Sequence, residues 1–375
     1  MAAIGGIFNI DGGHCDSDIL VRMSKAMSRR GRGGRSAVLL DSCGLFWGDG
    51  QTDSALSELG SVILLCDGQA VFENGGGSAK FFGESDARLW AGVFGRYGIE
   101  APEHLYGEYA VAAYDRQKGE LFLFREGGRP LYYAVCMGSV GFASEIKSIV
   151  AYLGEARVDR SIHLSHVLSR CGQYSGDDLY RHINDVGSGA GVVISRRGAS
   201  TFDFLKGRSE KKSAQRLTKK PLGGELICPD EEGMRRMLCE ILYAFDYPQF
   251  DHLMPTFLRD CEEAREDMRA VVDGALCFDL GYAAERRDRL STMAGYRPLC
   301  VPPDTYILKE RELKNMENIL RSILSEVDKD KLEYIFETDI VEEIMKIENT
   351  ARRVRCLGMV IQSEIWYEGY RICLN

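Results

Sequence analysis

Few side chains in this sequence stand at a spacing that could do chemistry. His163 and His166 are three residues apart, which on a helix turns both imidazoles to one face and could hold a metal ion. No cysteine or acidic partner lies close by, so they read as a surface pair or as hydrogen-bonded histidines, and no metal is expected. His14-Cys15 could couple a thiol to a base, but the pair lies in a Gly/Asp loop, where adjacent side chains rarely point together. Residues 75–77 (GGG) lack the Lys-Ser/Thr that completes a phosphate loop. Residues 175–178 (SGDD) read as a turn with a helix N-cap. The 12 cysteines include no CxxC pair, which leaves reduced, partly buried thiols as their reading.

The elements that would position such residues change character along the chain. Up to about residue 205 the pattern is strand-rich. Short apolar strands are expected over 4–10, 37–40, 44–47, 62–66, 109–115, 120–125, 132–136 and 140–144. Helical spacing appears at 18–27 and 86–97, where Leu89, Trp90, Val93 and Phe94 share a face. Residues 29–35 form a basic glycine-rich loop and 73–78 (ENGGGS) a flexible one. Residues 206–220 carry seven Lys/Arg and no aromatic residue, and end at Pro221; they read as a solvated linker rather than a nucleic-acid arm. Beyond Pro229 the period becomes helical, at 231–244, 253–264, 310–327, 331–337, 340–348 and 352–366. With 375 residues, 45% apolar, the chain is long enough for two domains. Its net charge of −9 argues against a nucleic-acid or anionic-membrane binder. No basic leader and no long apolar run is present, so a cytoplasmic protein is expected.

Several strings, in order, resemble the class II glutamine amidotransferase domain of asparagine synthetases. Residues 1–9 (MAAIGGIFN) look like that family's Met-Cys-Gly-Ile-x-Gly-Ile opening. Residues 28–34 sit at its His-Arg-Gly-Pro-Asp loop, and Cys66-Asp67-Gly68-Gln69 at its Asn-Gly-Glu. Ser85-Asp86 matches a Thr/Ser-Asp pair, and residues 105–115 (LYGEYAVAAYD) a Leu-x-Gly-x-Phe-Ala run. Residues 125–133 (REGGRPLYY) and 142–147 (FASEIK) are the most specific. A thinner likeness to the synthetase half runs through 244–258, 272–282 and 286–299. The resemblance implies an α+β protein. Residues 1–205 would form a four-layer αββα Ntn-hydrolase-like sandwich and 206–228 a basic linker. Residues 229–375 would form a smaller, mainly α-helical, reduced synthetase-like domain.

In the resembled family the residue after Met1 is a cysteine whose thiol attacks the glutamine amide, with its own α-amine as base. Asn and Gly donors stabilise the oxyanion. Here Ala2 offers only a methyl group. Asp67 replaces the oxyanion asparagine with a carboxylate, while Gly68 is kept. Gln69 replaces the glutamate. Residues 44–52 (GLFWGDGQT) hold no counterpart of the carboxylate-clamping arginine, and Asp86 alone retains the amine-binding role. The family's Ser-Gly-Gly-x-Asp-Ser pyrophosphate loop has no match; residues 222–225 (LGGE) lack its Asp and Ser. In its acidic motif only Asp273 and Asp279 remain, and the interval 220–273 is too short for a full nucleotide fold.

The expectation is a degenerate amidotransferase domain that is non-catalytic as written and serves as a binding, scaffolding or regulatory subunit. Two alternatives stand beside it. One is a working glutamine-dependent amidotransferase whose cysteine has been replaced by Ala2 through engineering. The other is an amino-acid or nucleotide sensor using the remnant pocket of Asp67, Gly68, Gln69 and Asp86. No cofactor is expected, and ATP with Mg²⁺ only if synthetase chemistry survives. A second copy, a full-length synthetase or another biosynthetic enzyme would be the partner, and glutamine or another amino acid the ligand.

Overall fold

The computed structural model describes residues 2–30, 34–48, 55–74, 77–79, 86–127, 129–168, 179–204, 224–225, 228–250, 252, 254–255, 306–307 and 310–374. In chain order the elements begin with β1 (Ala3–Asn9), α1 (Ser17–Ala26), β2 (Arg35–Leu40), β3 (Cys43–Gly48) and β4 (Leu56–Leu59). There follow β5 (Val62–Asn74), β6 (Gly77–Ala79), α2 (Asp86–Tyr97), β7 (Leu105–Asp115) and β8 (Glu120–Glu126). Next are β9 (Tyr132–Cys136), β10 (Ser139–Ala143), α3 (Ile146–Leu153), β11 (Ala156–Val158) and α4 (Arg160–Leu168). Then come β12 (Tyr180–Arg181), β13 (Asn184–Asp185), β14 (Ala190–Ser195) and β15 (Gly198–Asp203). The rest comprises β16 (Gly224–Glu225), α5 (Glu231–Phe245), β17 (Tyr306–Ile307), α6 (Glu310–Ser325), α7 (Lys329–Phe336), α8 (Ile340–Met345), α9 (Thr350–Gly369) and β18 (Ile372–Leu374).

The chain divides into two compact units. The first takes in residues 1–154 and 182–215 and holds two antiparallel sheets. One sheet has the order β13-β9-β10-β1-β3-β2 and the other β15-β14-β8-β7-β5-β4, with β6 pairing on β5. Strand alternation explains how they stack. Ile63 and Leu65 of β5 turn inward to meet Ile4, Phe8, Leu45 and Phe142 of the facing sheet. Leu64 and Cys66 turn outward to Trp90, Val93 and Phe94 of α2. Helices α1 and α3 cover the outer face of the first sheet. The layers are therefore αββα, as the family resemblance implied.

Local chemistry sets the ends of the elements. Asp16 caps α1 by accepting from the Asp18 and Ile19 N–H groups, and Gly154 closes α3 in the left-handed region. Strand β5 runs to Asn74 and turns into β6, so Glu73, Asn74, Gly77 and Ser78 belong to a hairpin rather than a flexible loop. The β5–β6 pairing supplies hydrogen bonds that the residue types alone do not reveal.

The second unit takes in residues 155–181 and 216–375. Met234, Leu238 and Ile241 of α5, Met316 and Leu320 of α6, and Leu357 and Val360 of α9 form its core. Asp230, Asp328, Asp339 and Asn349 cap α5, α7, α8 and α9. Residues 155–181 thus leave the domain 1–205 in which the sequence reading placed them. The physical reason is Val167, with Leu164 and Leu168 beside it, buried in the helical core. A small sheet, β12-β11-β18, ties the segment to the C-terminal strand. The linker 206–228 lies almost wholly outside the described residues, as does most of the helix read over 253–264. Among the described residues no helix is long and apolar enough to cross a membrane.

Candidate functional site

The site follows from alternation in β5. If residues 63 and 65 face the inter-sheet core, residue 67 must do so too. Asp67 therefore directs a carboxylate between the sheets, where it is 1% exposed. An unpaired charge there would cost several kcal/mol. The structure supplies partners from three other elements. The Ala2 backbone N–H, at the head of β1, donates to Asp67 Oδ1 at 2.8 Å. Arg30, just after α1, donates from Nη2 to Asp67 Oδ2 at 2.7 Å and from Nε to the Ala2 carbonyl at 2.9 Å. Arg129, beyond β8, brings Nη1 to 3.7 Å from Asp67 Oδ1.

The network continues through alternating charges. Arg30 Nη1 lies 3.6 Å from Glu145, and Glu145 lies 2.7 Å from Lys147 Nζ. Glu145 occupies the N-cap position of α3 but makes no side-chain cap bond, since its carboxylate is turned to these cations. Burial alone would raise the Asp67 carboxyl. The charges of Arg30 and Arg129, with the hydrogen bonds from Arg30 and Ala2, outweigh it and hold Asp67 below the usual carboxylate range. Asp67 is thus an anion with its lone pairs engaged.

Neighbouring backbone closes the site further. Gly68 has φ 128° and faces Glu108 so closely that a Cβ would fall 2.0 Å from the Glu108 carbonyl oxygen. Only glycine fits there. Asp86, at the head of α2, accepts from the Ala70 N–H at 2.9 Å, so part of the expected amine-binding carboxylate is spent on β5 itself. Glu108 is raised by its burial, with Arg129 opposing. The Cys66 thiol beside Asp67 is no substitute nucleophile: burial, then the charges of Asp86 and Asp67, push it well above its ordinary value.

The structure therefore brings together Ala2, Asp67 and Gly68, three of the residues singled out from the sequence. Gln69 follows on β5, paired with Glu108 across β7. Asp273 and Asp279 lie outside the described residues. The other candidates resolve differently. Cys15 donates to the Ile7 carbonyl at 3.4 Å, and burial raises its thiol. His163 and His166 are fully buried rather than a surface pair. Their Nε2 atoms bond Ser363 Oγ and the Pro248 carbonyl, each at 2.9 Å. Among the described residues no cluster of His, Cys, Asp and Glu could hold a metal ion. Sequence reasoning missed Arg30, Arg129, Glu145 and Lys147. All four sit inside strings quoted for the resemblance, but none is marked by its type as a partner of residue 67.

Known proteins agree with the first unit's character. Residues 73–205 match the family model described as a glutamine amidotransferase domain. Asparagine synthetase [glutamine-hydrolyzing] 3 of Bacillus subtilis is 27% identical over 136 residues, covering 35% of this chain and 22% of that protein. Amidase chry2 of Gibberella zeae is 35% identical over 75 residues, covering 20% of this chain and 11% of the amidase. The matched segments thus span under a quarter of either relative. Among solved structures, the glutamine phosphoribosylpyrophosphate amidotransferase of B. subtilis, complexed with ADP and GMP, gives a TM-score of 0.37 at 16% identity. That match covers 54% of this chain and 49% of the other. Residues 73–205 are thus similar to glutamine amidotransferase domains, and this part of the chain shares low sequence identity with asparagine synthetases.

Proposed function

We propose that this domain does not hydrolyse glutamine and that the chain acts as a binding or scaffolding subunit beside a synthetase or another amide-forming enzyme. The observation behind the reading is the Asp67 carboxylate, held by the Ala2 N–H at 2.8 Å and by Arg30 at 2.7 Å. Amide hydrolysis by this type of site needs a nucleophile and a donor for the developing oxyanion. Ala2 has no thiol or hydroxyl. Asp67 accepts hydrogen bonds where a donor is needed, and its negative charge opposes another. The partner charges make Asp67 a stable part of the fold, which a single replaced nucleophile would not explain.

This favours the binding reading over a working amidotransferase that has lost only its cysteine. It also weighs against a sensor built on Asp67 and Asp86, because both carboxylates already accept backbone N–H groups. The reading calls on no ATP or Mg²⁺. Incubating the purified chain with glutamine and following glutamate release tests it. Release no faster than in buffer is expected; sustained turnover would end the proposal.

A further inference from the structure

The far end of the same sheet carries charge of a different kind. Strand β8 separates the two ends by six residues, about 20 Å at the usual rise of a strand. There the β7–β8 turn and the β14–β15 turn lie side by side, because β8 and β14 are paired from Leu121↔Ile194 onward. Between them is a hollow of about 500 Å³ lined by Lys118, Glu120, Ser195, Arg196, Arg197 and Ser200, with small residues among them.

Two of the cations that line this hollow are not matched as those at Asp67 are. Arg116, in the β7–β8 turn, pairs with Glu58. Lys118 lies 3.8 Å from Asp115. Arg196 and Arg197 have no carboxylate partner among the described residues, and both are exposed. With Lys118 paired to Asp115, Arg196 and Arg197 stand against Glu120, a net positive site on a chain of net charge −9. Like charges at adjacent positions repel, and an anion between them relieves that repulsion. Arginine forks suit phosphate oxygens in particular, since two parallel N–H donors match one phosphoryl group. The Ser195 Oγ accepts from the Arg197 N–H at 3.2 Å, which leaves its O–H free to donate.

We propose that this hollow binds a small phosphate-bearing polyanion. Its volume falls within the range of small-molecule sites, about 300–1,000 Å³, and is too small for a protein face. No aromatic side chain lines it, so it lacks a platform for stacking a nucleobase. Charge and hydrogen bonding alone recognise the ligand: the cations favour a group carrying two or more negative charges over a monoanion, while the Glu120 carboxylate opposes part of that attraction. The site is independent of the glutamine chemistry at the other end of the sheet.

Calorimetric titration of the full chain with inorganic pyrophosphate tests the proposal, with citrate as a non-phosphate polyanion and single-stranded oligonucleotide as a polymer. Saturable pyrophosphate binding that weakens as salt rises is expected. Arg196→Ala combined with Arg197→Ala should weaken it by about tenfold or more, given the strength of charge-assisted bonds. Both residues lie in an exposed turn, so the variant's melting temperature should be unchanged. Absence of saturable binding, equal affinity in the double variant, or citrate or oligonucleotide binding as tight as pyrophosphate would each overturn the assignment.

Discussion

Two buried polar clusters, one in each unit, are built on opposite principles. In the sandwich, Asp67, Arg30, Glu145 and Lys147 are charged, and each is stabilised by the next. In the helical unit Glu317 pairs with Arg353 at one place, but the cluster around Asp246 is built mainly of neutral donors turned on a backbone carbonyl. Tyr180 and Trp366 both donate to the Asp246 carbonyl, Tyr370 donates to Asp246 Oδ1 at 2.9 Å, and His163 meets Ser363. A charged cluster fails when one partner is removed, whereas a neutral cluster fails when a proton is added. The difference teaches where each unit is vulnerable.

Removing one partner from the charged cluster gives the largest expected effect. Arg30→Ala leaves Asp67 buried and without its closest cation, which should destabilise the sandwich by about 3–5 kcal/mol. Denaturant unfolding measures it, and Asp67→Asn added to Arg30→Ala should recover a large part by removing the stranded charge. Equal loss in the single and double variants would mean that Arg30 acts through packing alone.

Acid should separate the two units next. Burial, and then the neighbouring His166, hold the His163 imidazole down at about 3. The unfolded chain, with an ordinary histidine near 6.5, takes up the proton first as pH falls. His163 therefore costs the helical unit about 1.4 kcal/mol for each pH unit below about 6.5, continuing toward pH 3. Asp67 behaves in the opposite range. Its folded carboxyl lies below 3.8, so its contribution is present at neutral pH and is lost only as pH falls below about 4. Trp366 reports on the helical unit, and Trp47 and Trp90 on the sandwich. Fluorescence of a Trp366→Phe variant and of a Trp47→Phe, Trp90→Phe variant should show the helical unit unfolding at the higher pH. Loss of both units together would break the distinction.

The smallest effect should come from Tyr370→Phe. It removes one donor to Asp246 and should cost the helical unit about 1 kcal/mol, without moving the acid transition of the sandwich. Thermal unfolding followed at Trp366 measures it.

Much of the sandwich was legible because its signals are local. Alternation in Val62 to Cys66 predicts one inward face, and the strings around Arg125 and Phe142 fix the strands that close it. The same alternation, carried one step further, places Asp67 between the sheets. The partners of Asp67 were not legible. Arg30 is 37 residues away and Arg129 is 62, and no residue type announces a long-range ion pair. Residues 155–181 were misplaced for a similar reason: apolar side chains at 164, 167 and 168 show that a helix has a buried face, but not which of two cores receives it. His163 and His166 had the right spacing for one helix face, and only the helices packed around them show that this face is buried.

The most direct measurement is glutamate release by an Ala2→Cys variant prepared with residue 2 as its N-terminus. It restores the thiol and the α-amine while leaving Asp67, Arg30 and Arg129 in place. If the buried charges have closed the reaction site, glutamine will be left intact and release will stay at the buffer rate. Sustained, enzyme-proportional glutamate release from that variant would show that only the nucleophile was missing.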